Sequence, residues 1–383
     1  MKNDEMKRIA VIGASYLQRP LVEKAKEMGL YVLCFAWRDG AVCEPLADGF
    51  YPISIVEKEQ ILEICQQKKI DGICTIASDV AAPTVAFVAE KMGLVGNSYE
   101  AAVRANNKFA MRDAFMKAGV PCPPYTMVDD IKALSLKSQV SILNSFTFPF
   151  IVKPTDRSGS LGVTKVNSEE ELLAAMEKAL DCSFKHQAMV EEFIEGREIS
   201  VEFISYRGTH YPLTITDKVT TEAPHFVELE HHQPSTLTPA QYEEIYAITR
   251  RALDALGVTD GASHSEYKIT KDGRICIMEI GARMGGDFIG SDLVRLSTGY
   301  DFVKGVIDVA LGTFEAPLLT QKKHSGVYFL CKETEQIKPF ILNPKQYPEI
   351  VQSELTDEEL RTICCSADRS GYFIYQADRN MPI

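Results

Sequence analysis

The sequence contains no apolar run of about 18 residues, which is the length that a membrane-spanning helix needs. Charged residues continue as far as Arg8, and the short apolar stretch after them is typical of a strand rather than of a signal-peptide core. We therefore expect a cytoplasmic protein without a membrane span. Negatively charged residues also outnumber positively charged ones. The net charge of −12 argues against non-specific binding of nucleic acid, although local groups could still bind small anions.

Metal-binding and redox motifs of cysteine and histidine are absent as well. None of the ten cysteines forms a C-x-x-C pair, and none of the seven histidines has zinc-site spacing. Several cysteines lie in apolar, strand-like runs. We therefore expect reduced and buried thiols.

A complete dinucleotide fingerprint is missing from the segment "IAVIGASYLQRP", residues 9–20. The fingerprint G-x-G-x-x-G needs three glycines, but the three positions here are Gly13, Ser15 and Gln18. A Walker loop, G-x-x-x-x-G-K-[ST], occurs nowhere in the chain. The segment predicts a strand–turn–helix without a pyrophosphate site, which disfavours an NAD- or FAD-dependent oxidoreductase.

The length of 383 residues is too great for one ordinary core and indicates several packed units. Residues 8–97 alternate between strands and helices, which predicts a parallel, doubly wound sheet. Its strands are expected in "RIAVIG", "LYVLCFA", "IDGICTIA" and "GLVGN", with helices at 16–28, 57–69 and 80–92. Residues 98–118 read as two helical segments that break near Asn106 and Asn107.

After "VPCPPYTMV" the pattern becomes mixed α+β. Strands are expected at 148–153, 162–166, 187–194, 198–205, 210–215, 263–270 and 274–281, and helices at 168–180 and 239–256. Residues 320–383 are expected to form a small terminal unit with strands near "GVYFLC" and "GYFIYQ".

Three later segments carry the chemistry. In "FIVKPTDRSGSLGVTKV", Lys153 precedes a loop with Gly159 and Gly162, which suits phosphate oxygens but would equally suit a solvated hairpin. In "MVEEFIEGREISVEF", Gly196 interrupts strand-like alternation. An extended hinge there could bind a planar base and Glu198 could bind ribose hydroxyls, although an ordinary acidic hairpin would have the same pattern.

The third segment, "SHSEYKITKDGRICIMEIGARMGGDFIG", is the most specific. Glu266 and Glu279 fall on two strands joined by the tight turn "KDG", where two carboxylates could share a face and bind Mg²⁺. Arg283 follows four residues after Glu279. Packing alone explains this pattern poorly.

Together and in this order, the three segments resemble the ATP-grasp superfamily, over nearly the whole chain. The resemblance implies a Rossmann-like parallel-sheet α/β domain without a dinucleotide, followed by a two-lobed α+β ATP-grasp fold. The implied domains are an N-terminal domain at 1–106, a small lobe at 107–190, a large lobe with the metal site at 191–319, and a C-terminal α+β subdomain at 320–383.

The resemblance also implies roles for individual residues. Lys108, within "NNKFAMRDAFMKAGVPCPPY", and Lys153 would be the two nucleotide-binding lysines, and Arg283 the catalytic arginine. The flexible loop 156–162 would close over the phosphates. The cofactor contacts of this loop would be Ser158, Gly159 and Ser160. The adenine hinge would be formed by Glu191, Glu192, Phe193 and Ile194, and Glu198 would bind the ribose. The metal ligands would be Glu266 and Glu279.

The implied reaction is the ADP-forming ligation of a small-molecule carboxylate to an amine through an acyl phosphate. Its cofactors would be ATP and Mg²⁺, with Mn²⁺ as a substitute, and dimers are common in such enzymes. Nucleic acid and membrane partners are not expected. The substrate side of the cleft would be lined by Ser15, Gln18, His225, Glu228, His264 and Arg283, although structural roles for the histidines and Glu228 stay equally open.

One position departs from the family pattern. Many members carry an Asn two residues beyond the second metal-binding Glu, and that position is Gly281 here. The number of bound metals is therefore open. Carbamoyl-phosphate-synthase-like phosphorylation of bicarbonate or carbamate and a non-catalytic ATP sensor are the alternatives. Biotin carboxylase is disfavoured by the short C-terminal unit.

Overall fold

The structure is a computed structural model that describes residues 6–128, 146–157, 161–221, 225–381 and 383. Among these residues, three sheets divide the strands between them. No helix in these ranges combines the length and the apolarity needed to cross a membrane.

The N-terminal sheet is parallel and has the order β3-β2-β1-β4. Its strands are β1 (Arg8–Ile12), β2 (Tyr31–Phe35), β3 (Gly49–Tyr51) and β4 (Gly72–Cys74), and its helices are α1 (Arg19–Glu27), α2 (Lys58–Lys68) and α3 (Ala82–Met92). The parallel, doubly wound organisation is confirmed. The expected strand "GLVGN" is wrong, because Gly93 ends α3 in a left-handed conformation and no strand follows before residue 99. Strand β3 was not predicted, because three residues are too few to show the alternation of a strand.

Two helices connect this domain to the rest of the chain, as predicted. Helix α4 (Tyr99–Ala105) ends at Asn106, and α5 (Lys108–Lys117) begins after Asn107. The Asn107 side chain accepts a hydrogen bond from the backbone N–H of Ala110 at 2.9 Å. This N-cap explains why the helical chain breaks there.

The small-lobe sheet is antiparallel and has the order β5-β8-β6-β7. Its strands are β5 (Tyr125–Val128), β6 (Phe150–Pro154), β7 (Thr164–Val166) and β8 (Ala188–Glu192). Helix α6 (Glu169–Cys182) covers one face, because Leu172, Ala175, Met176 and Ala179 recur at helical spacing and are buried. The predicted lobe boundary at 190/191 falls inside β8.

The third sheet has eight strands in the order β13-β12-β9-β10-β11-β14-β16-β15. The strands are β9 (Arg197–Tyr206), β10 (Thr209–Thr220), β11 (Glu228–Gln233), β12 (Gly261–Ile269), β13 (Ile275–Gly281), β14 (His324–Leu330), β15 (Ile350–Leu355) and β16 (Gly371–Ala377). Strand β11 pairs with β14, so the sheet continues across residue 320. Residues 320–383 therefore share the large lobe's sheet.

The remaining helices pack around this sheet. They are α7 (Pro239–Leu256), α8 (Val294–Thr298), α9 (Phe302–Ala310) and α10 (Lys338–Leu342), with a π-helix at Ile289–Leu293 and short 3₁₀ helices at Glu44–Leu46, Lys332–Ile337, Pro344–Gln346 and Ser366–Asp368. One hydrophobic cluster joins the N-terminal sheet to the large lobe, with Ile9 and Val11 in the same core as Met284 and Phe302. An isolated parallel bridge pairs Ile76 with Met284. The core thus holds the N-terminal domain against the segment that follows β13.

Candidate functional site

A cavity of about 1270 Å³, open to solvent, lies between the small-lobe sheet and strands β9, β10, β12 and β13. Most of the predicted site residues line it, although they come from distant parts of the sequence. They are Lys108, Lys153, Glu191, Glu192, Phe193, Ile194, Glu198, Glu228, His264, Glu266, Glu279 and Arg283. Ser158, Gly159 and Ser160 lie outside the described residues.

Strand pairing explains why the acidic residues meet. Glu266 on β12 lies directly opposite Glu279 on β13, and His264 lies opposite Gly281. On the other side of β12, His264 pairs with Glu202 and Lys268 with Glu198, both on β9. Because residues two apart on a strand share a face, the strands β13, β12 and β9, at one edge of the sheet, present one row of charged side chains to the cavity.

Lys218 reaches into this row from β10, the strand next to β9. Its Nζ lies 2.7 Å from Glu266 Oε1 and 3.5 Å from Glu228 Oε1, and its side chain is 5% exposed. Burial opposes the charged lysine, but the carboxylates of Glu266 and Glu228 outweigh it and raise the pKa of Lys218. The same lysine holds the pKa of Glu266 well below its usual range. Both groups are therefore ionised at neutral pH.

Glu279 is paired with Lys108, whose Nζ donates to Glu279 Oε1 at 2.8 Å. The described residues contain no cluster of three His, Cys, Asp or Glu side chains that could hold a metal ion. Glu266 and Glu279 nevertheless fit Mg²⁺ as a pair, because they face each other across two strands and remain partly exposed, at 38% and 27%. Magnesium commonly takes one or two carboxylates and completes its shell with phosphates and water.

His264 lies beside this pair. Its Nδ1 lies 2.5 Å from Glu202 Oε1, and its Nε2 lies 3.5 Å from Glu266 Oε1. Burial opposes protonation, but Glu202 and Glu266 raise the pKa of His264 to about 9. His264 therefore adds a positive charge at neutral pH, and its Nδ1 is held by a buried carboxylate.

Lys153 and Glu191 belong to a buried group of three charges. Lys153 Nζ donates to Glu191 Oε1, and Arg112 donates to Glu191 Oε2 at 3.0 Å. Burial works against the carboxylate, but the two cations outweigh it and lower the pKa of Glu191. Burial also lowers the pKa of Lys153, against the opposing effect of Glu191. The Glu191 side chain is thus occupied by Lys153 and Arg112.

Of the predicted hinge residues, Glu191 and Glu192 end strand β8, and Phe193 and Ile194 follow it. Lys165 Nζ lies 4.0 Å from the centroid of the Phe193 ring. Ile194 is buried at 3% exposure. Lys268 Nζ lies 2.7 Å from Glu198 Oε1 at the same end of the cavity. The hinge therefore presents an aromatic ring, an apolar residue and a paired carboxylate together.

Arg283 is held by a residue of the N-terminal domain. Its Nη2 donates to Asp79 Oδ2 at 2.7 Å, and both side chains are 15% exposed. Burial opposes the charge on Asp79, but Arg283 lowers the pKa of this carboxyl. A Cβ atom on Gly281 would lie 2.8 Å from Asp79 Oδ1 and 3.0 Å from Arg283 Cζ. A side chain at position 281 would therefore have to displace the Asp79–Arg283 pair, which occupies the space that an Asn would need.

Three predicted substrate residues do not line this cavity. Gln18 is 3% exposed, and its side chain accepts hydrogen bonds from the N–H and the hydroxyl of Ser15 and donates to the carbonyl of Ile76. In the structure Ser15 and Gln18 therefore stabilise the N-terminal turn. His225 is exposed, and its neighbours Phe226 and Glu228 line the cavity instead.

Sequence reasoning also missed several residues of the site. Asp79, Arg112, Glu202, Lys218 and Lys268 carry no motif, because each meets its partner only through pairing between distant strands or domains. The alternation in "REISVEF" was the one available signal, since it places Glu198 and Glu202 on the same face of β9.

Comparison with known proteins agrees with this geometry. The profile of a family described as an ATP-grasp domain matches residues 146–292. Alanine–anticapsin ligase of Bacillus subtilis (strain 168) is 29% identical over 273 residues, which cover 66% of this chain and 56% of that protein. The match thus spans little more than half of that relative.

Solved structures share the fold over nearly the whole chain. The L-amino acid ligase from Bacillus licheniformis has a TM-score of 0.78 and 23% identity, over 97% of this chain and 94% of that chain. Phosphoribosylglycinamide synthetase from Anaerococcus prevotii has a TM-score of 0.76 and 21% identity, over 98% and 95%. The protein therefore contains an ATP-grasp domain at residues 146–292, within the fold that ATP-grasp ligases share.

Proposed function

We propose that the protein is an ATP-dependent, ADP-forming ligase that joins a carboxylate to an amine through an acyl phosphate. The observation that carries this proposal is the convergence of Glu266, Glu279, Lys108, Lys153 and Arg283 on one cavity, from three separate structural units. Binding of Mg-ATP alone would use the lysines and the two carboxylates, whereas the arginine provides for a second, anionic substrate.

In this proposal Lys108 and Lys153 bind the polyphosphate. Both lysines are paired with carboxylates in the structure, so their positive charges are already aimed at the cavity and only partly solvated. Glu266 and Glu279 would hold Mg²⁺, which neutralises charge on the transferred phosphoryl group when bound. Fixed charges of this kind stabilise the transition state without rearranging solvent.

Arg283 would act on the carboxylate side. Its guanidinium can donate two parallel hydrogen bonds to a carboxylate or to the oxyanion that forms when the amine attacks. Asp79 holds the guanidinium at the edge of the cavity through one of its nitrogens. The hinge at Phe193 and Ile194 would bind the base, and Glu198 would bind the ribose.

The test is release of ADP and phosphate with Mg-ATP and a panel of paired amino acids and small acids. We expect release to require both a carboxylate and an amine, and to stop when EDTA removes the metal. Glu279→Gln keeps the shape of the side chain and should lower kcat at least about 100-fold, which corresponds to roughly 3 kcal/mol. Glu244→Gln, on the exposed face of α7, is the matched control and should leave kcat unchanged.

Other results would overturn the proposal. ADP formation that needs bicarbonate and no amino acid would favour the carbamoyl-phosphate-synthase-like alternative. Binding of ATP without turnover on any pair would favour the sensor. A folded Glu279→Gln variant with wild-type turnover would remove the metal assignment.

A further inference from the structure

A second cavity, of about 1780 Å³ and open to solvent, lies on the other side of the junction that holds Arg283. The N-terminal turn, the segment from Met284 to Asp292 and the strands β15 and β16 form its walls. Its inner end is the bridge between Ile76 and Met284, where the N–H of Ala77 donates to the Met284 carbonyl at 3.1 Å. Met284 directly follows Arg283, so this cavity begins one residue from the arginine that lines the first cavity.

The charges on this wall favour a cation. It contains two arginines, and each already has a carboxylate partner: Arg19 with Glu23 at 2.7 Å, and Arg369 with Asp287 at 2.9 Å. Two further carboxylates line the same cavity, Asp292 and Glu354. Neither is in an ion pair within 4 Å among the described residues, although Arg295 acts electrostatically on Asp292 and Arg19 on Glu354. Asp292 accepts a hydrogen bond from the Ser291 hydroxyl at 2.6 Å and Glu354 one from the Tyr372 hydroxyl at 3.1 Å.

The apolar part of the wall is aromatic. The rings of Phe288 and Tyr372 lie with their centroids 4.3 Å apart, and Phe329 continues the surface. Tyr16, from the N-terminal turn, lines the cavity with 67% of its surface exposed. Phe288 has φ = +64°, a left-handed conformation that costs an aromatic residue on the order of 1 kcal/mol and that persists mainly at functional sites.

One buried donor in this wall has no acceptor. Arg369 lines the cavity and its side chain is 9% exposed. Its Nη1 and Nη2 are engaged by Asp287 and the Glu228 carbonyl, but its Nε has no hydrogen-bond partner in the part of the chain that the structure describes. This nitrogen has almost no accessible surface, so Arg369 contributes its charge and not this donor to the cavity.

We propose that this second cavity binds the amine substrate, and that this substrate is an amino acid or amino-acid amide with a large apolar side chain rather than a phosphorylated amine. The proposal deepens the ligase function and rests on it. The ammonium group matches Asp292 and Glu354, and the side chain matches the aromatic wall.

Phosphorylated amines are disfavoured by the same charges. A phosphate dianion is repelled by this wall, because four carboxylates line the cavity against two arginines. Phosphoribosylglycinamide synthetase, whose fold is similar, is named after a phosphoribosyl compound. The shared fold alone therefore does not show whether the amine substrate is phosphorylated. The wall of this cavity is what separates the two classes.

Isothermal titration of the intact protein would test the proposal, with L-phenylalaninamide and phosphoethanolamine as probes. Each titration is run without nucleotide and again with a non-hydrolysable ATP analogue and Mg²⁺. We expect L-phenylalaninamide to bind in at least one condition and phosphoethanolamine to bind at least tenfold more weakly. The double variant Asp292→Asn/Glu354→Gln should weaken L-phenylalaninamide binding at least tenfold and leave binding of the ATP analogue unchanged.

Glu349→Gln is the matched control, because it removes a charge from an exposed residue of the same C-terminal segment outside the cavity. Melting temperatures establish that each variant is folded, and Glu354→Gln alone serves if the double variant is not. Tighter binding of phosphoethanolamine, or equal binding by wild type and variant, would overturn the inference. If L-phenylalaninamide binds as described but no ADP is released, the proposed function is wrong and the proposed site is kept. If ADP is released but L-phenylalaninamide does not bind, only the proposed site is wrong.

Discussion

Arg112 is fully buried, and it is one of two cations that share the carboxylate of Glu191. Its Nε and Nη1 have no hydrogen-bond partner among the described residues, so its charge depends on Glu191. A buried charge whose partner is removed keeps its full desolvation penalty. Glu191 is thus the one carboxylate that both cations contact.

Glu191→Gln should therefore lower the free energy of unfolding by about 3 kcal/mol, because it leaves Arg112 and Lys153 without a counter-charge. Urea denaturation would measure this. Glu192→Gln is the matched control: Glu192 is 38% exposed, and its pairing with Arg274 at 2.9 Å should contribute less than about 1 kcal/mol. Similar losses in both variants would contradict this account.

Gln18 shows how one side chain replaces a binding motif. It stands where the dinucleotide fingerprint has its third glycine, and a Cβ on Gly13 would lie 2.8 Å from its Cδ. The amide fills the turn and joins it to the carbonyl of Ile76 at the end of the neighbouring strand. The turn is therefore closed by protein atoms in the place where a fingerprint would admit a ligand.

Gln18→Ala removes the partner of two donors on Ser15 and of the Ile76 carbonyl. We expect a loss of about 2 kcal/mol in the free energy of unfolding, because buried polar groups lose their hydrogen bonds. The Kd for ATP should not change. Gln67→Ala, on the exposed face of α2, is the control for denaturation. An unchanged stability together with a raised KM for the carboxylate would restore the original expectation that Gln18 contacts substrate.

At the scale of elements, the hairpin of β12 and β13 carries the two carboxylates that we propose as metal ligands, its metal face. A bulge after Glu266 shifts the register, so that Glu266 faces Glu279 while Tyr267 pairs with Ile277. Tyr267 is buried, and its hydroxyl lies 2.6 Å from the Thr249 hydroxyl on α7. The hairpin is thus anchored on its core side, and its carboxylates are held on the cavity side.

The end of β13 is matched to the N-terminal domain through Gly281. Gly281→Asn restores the residue that is common in the family, but its side chain would meet Asp79 and Arg283. We expect kcat/KM to fall at least about tenfold because Arg283 is displaced. In a protein that already carries Asp79→Ala, adding Gly281→Asn should lower kcat/KM by a smaller factor. Wild-type kcat/KM in the Gly281→Asn variant would show that the pair does not need this space.

At the scale of the molecule, units that the sequence patterns separate are joined. The eight-stranded sheet joins the large lobe to residues 320–383, and one hydrophobic core joins the large lobe to the N-terminal domain. Strands β14 and β16 extend the large lobe's sheet, and they place Tyr372 and Arg369 beside the N-terminal turn. The C-terminal segment therefore helps to form the second cavity.

The same packing determines thiol reactivity. Six of the ten cysteines are buried, and Cys122 and Cys182 are intermediate in exposure. Burial raises the pKa of Cys34, Cys65 and Cys74 to about 12, which keeps them protonated and unreactive. The expectation of buried thiols is wrong for Cys364 and Cys365, which are exposed.

We expect a thiol reagent such as DTNB to modify two cysteines rapidly in the native protein at pH 8. The rest should react slowly or only after denaturation. The variant Cys364→Ser/Cys365→Ser should lose the rapid phase and keep its melting temperature. A rapid phase that persists in this variant would show that the buried thiols are accessible.

The sequence by itself determined most element types, the absence of a dinucleotide fingerprint and, through the resemblance to the ATP-grasp superfamily, about half of the residues that line the first cavity. These follow from local periodicity and from short motifs, which act over a few residues. Only the tertiary structure decided that Lys218 and Lys108 neutralise the two metal-face carboxylates, that Gln18 closes a turn, and that Asp79 takes the space opposite Gly281. Those contacts join residues far apart in the chain, and their energies depend on strand register, burial and the distance between charges, which no local pattern records.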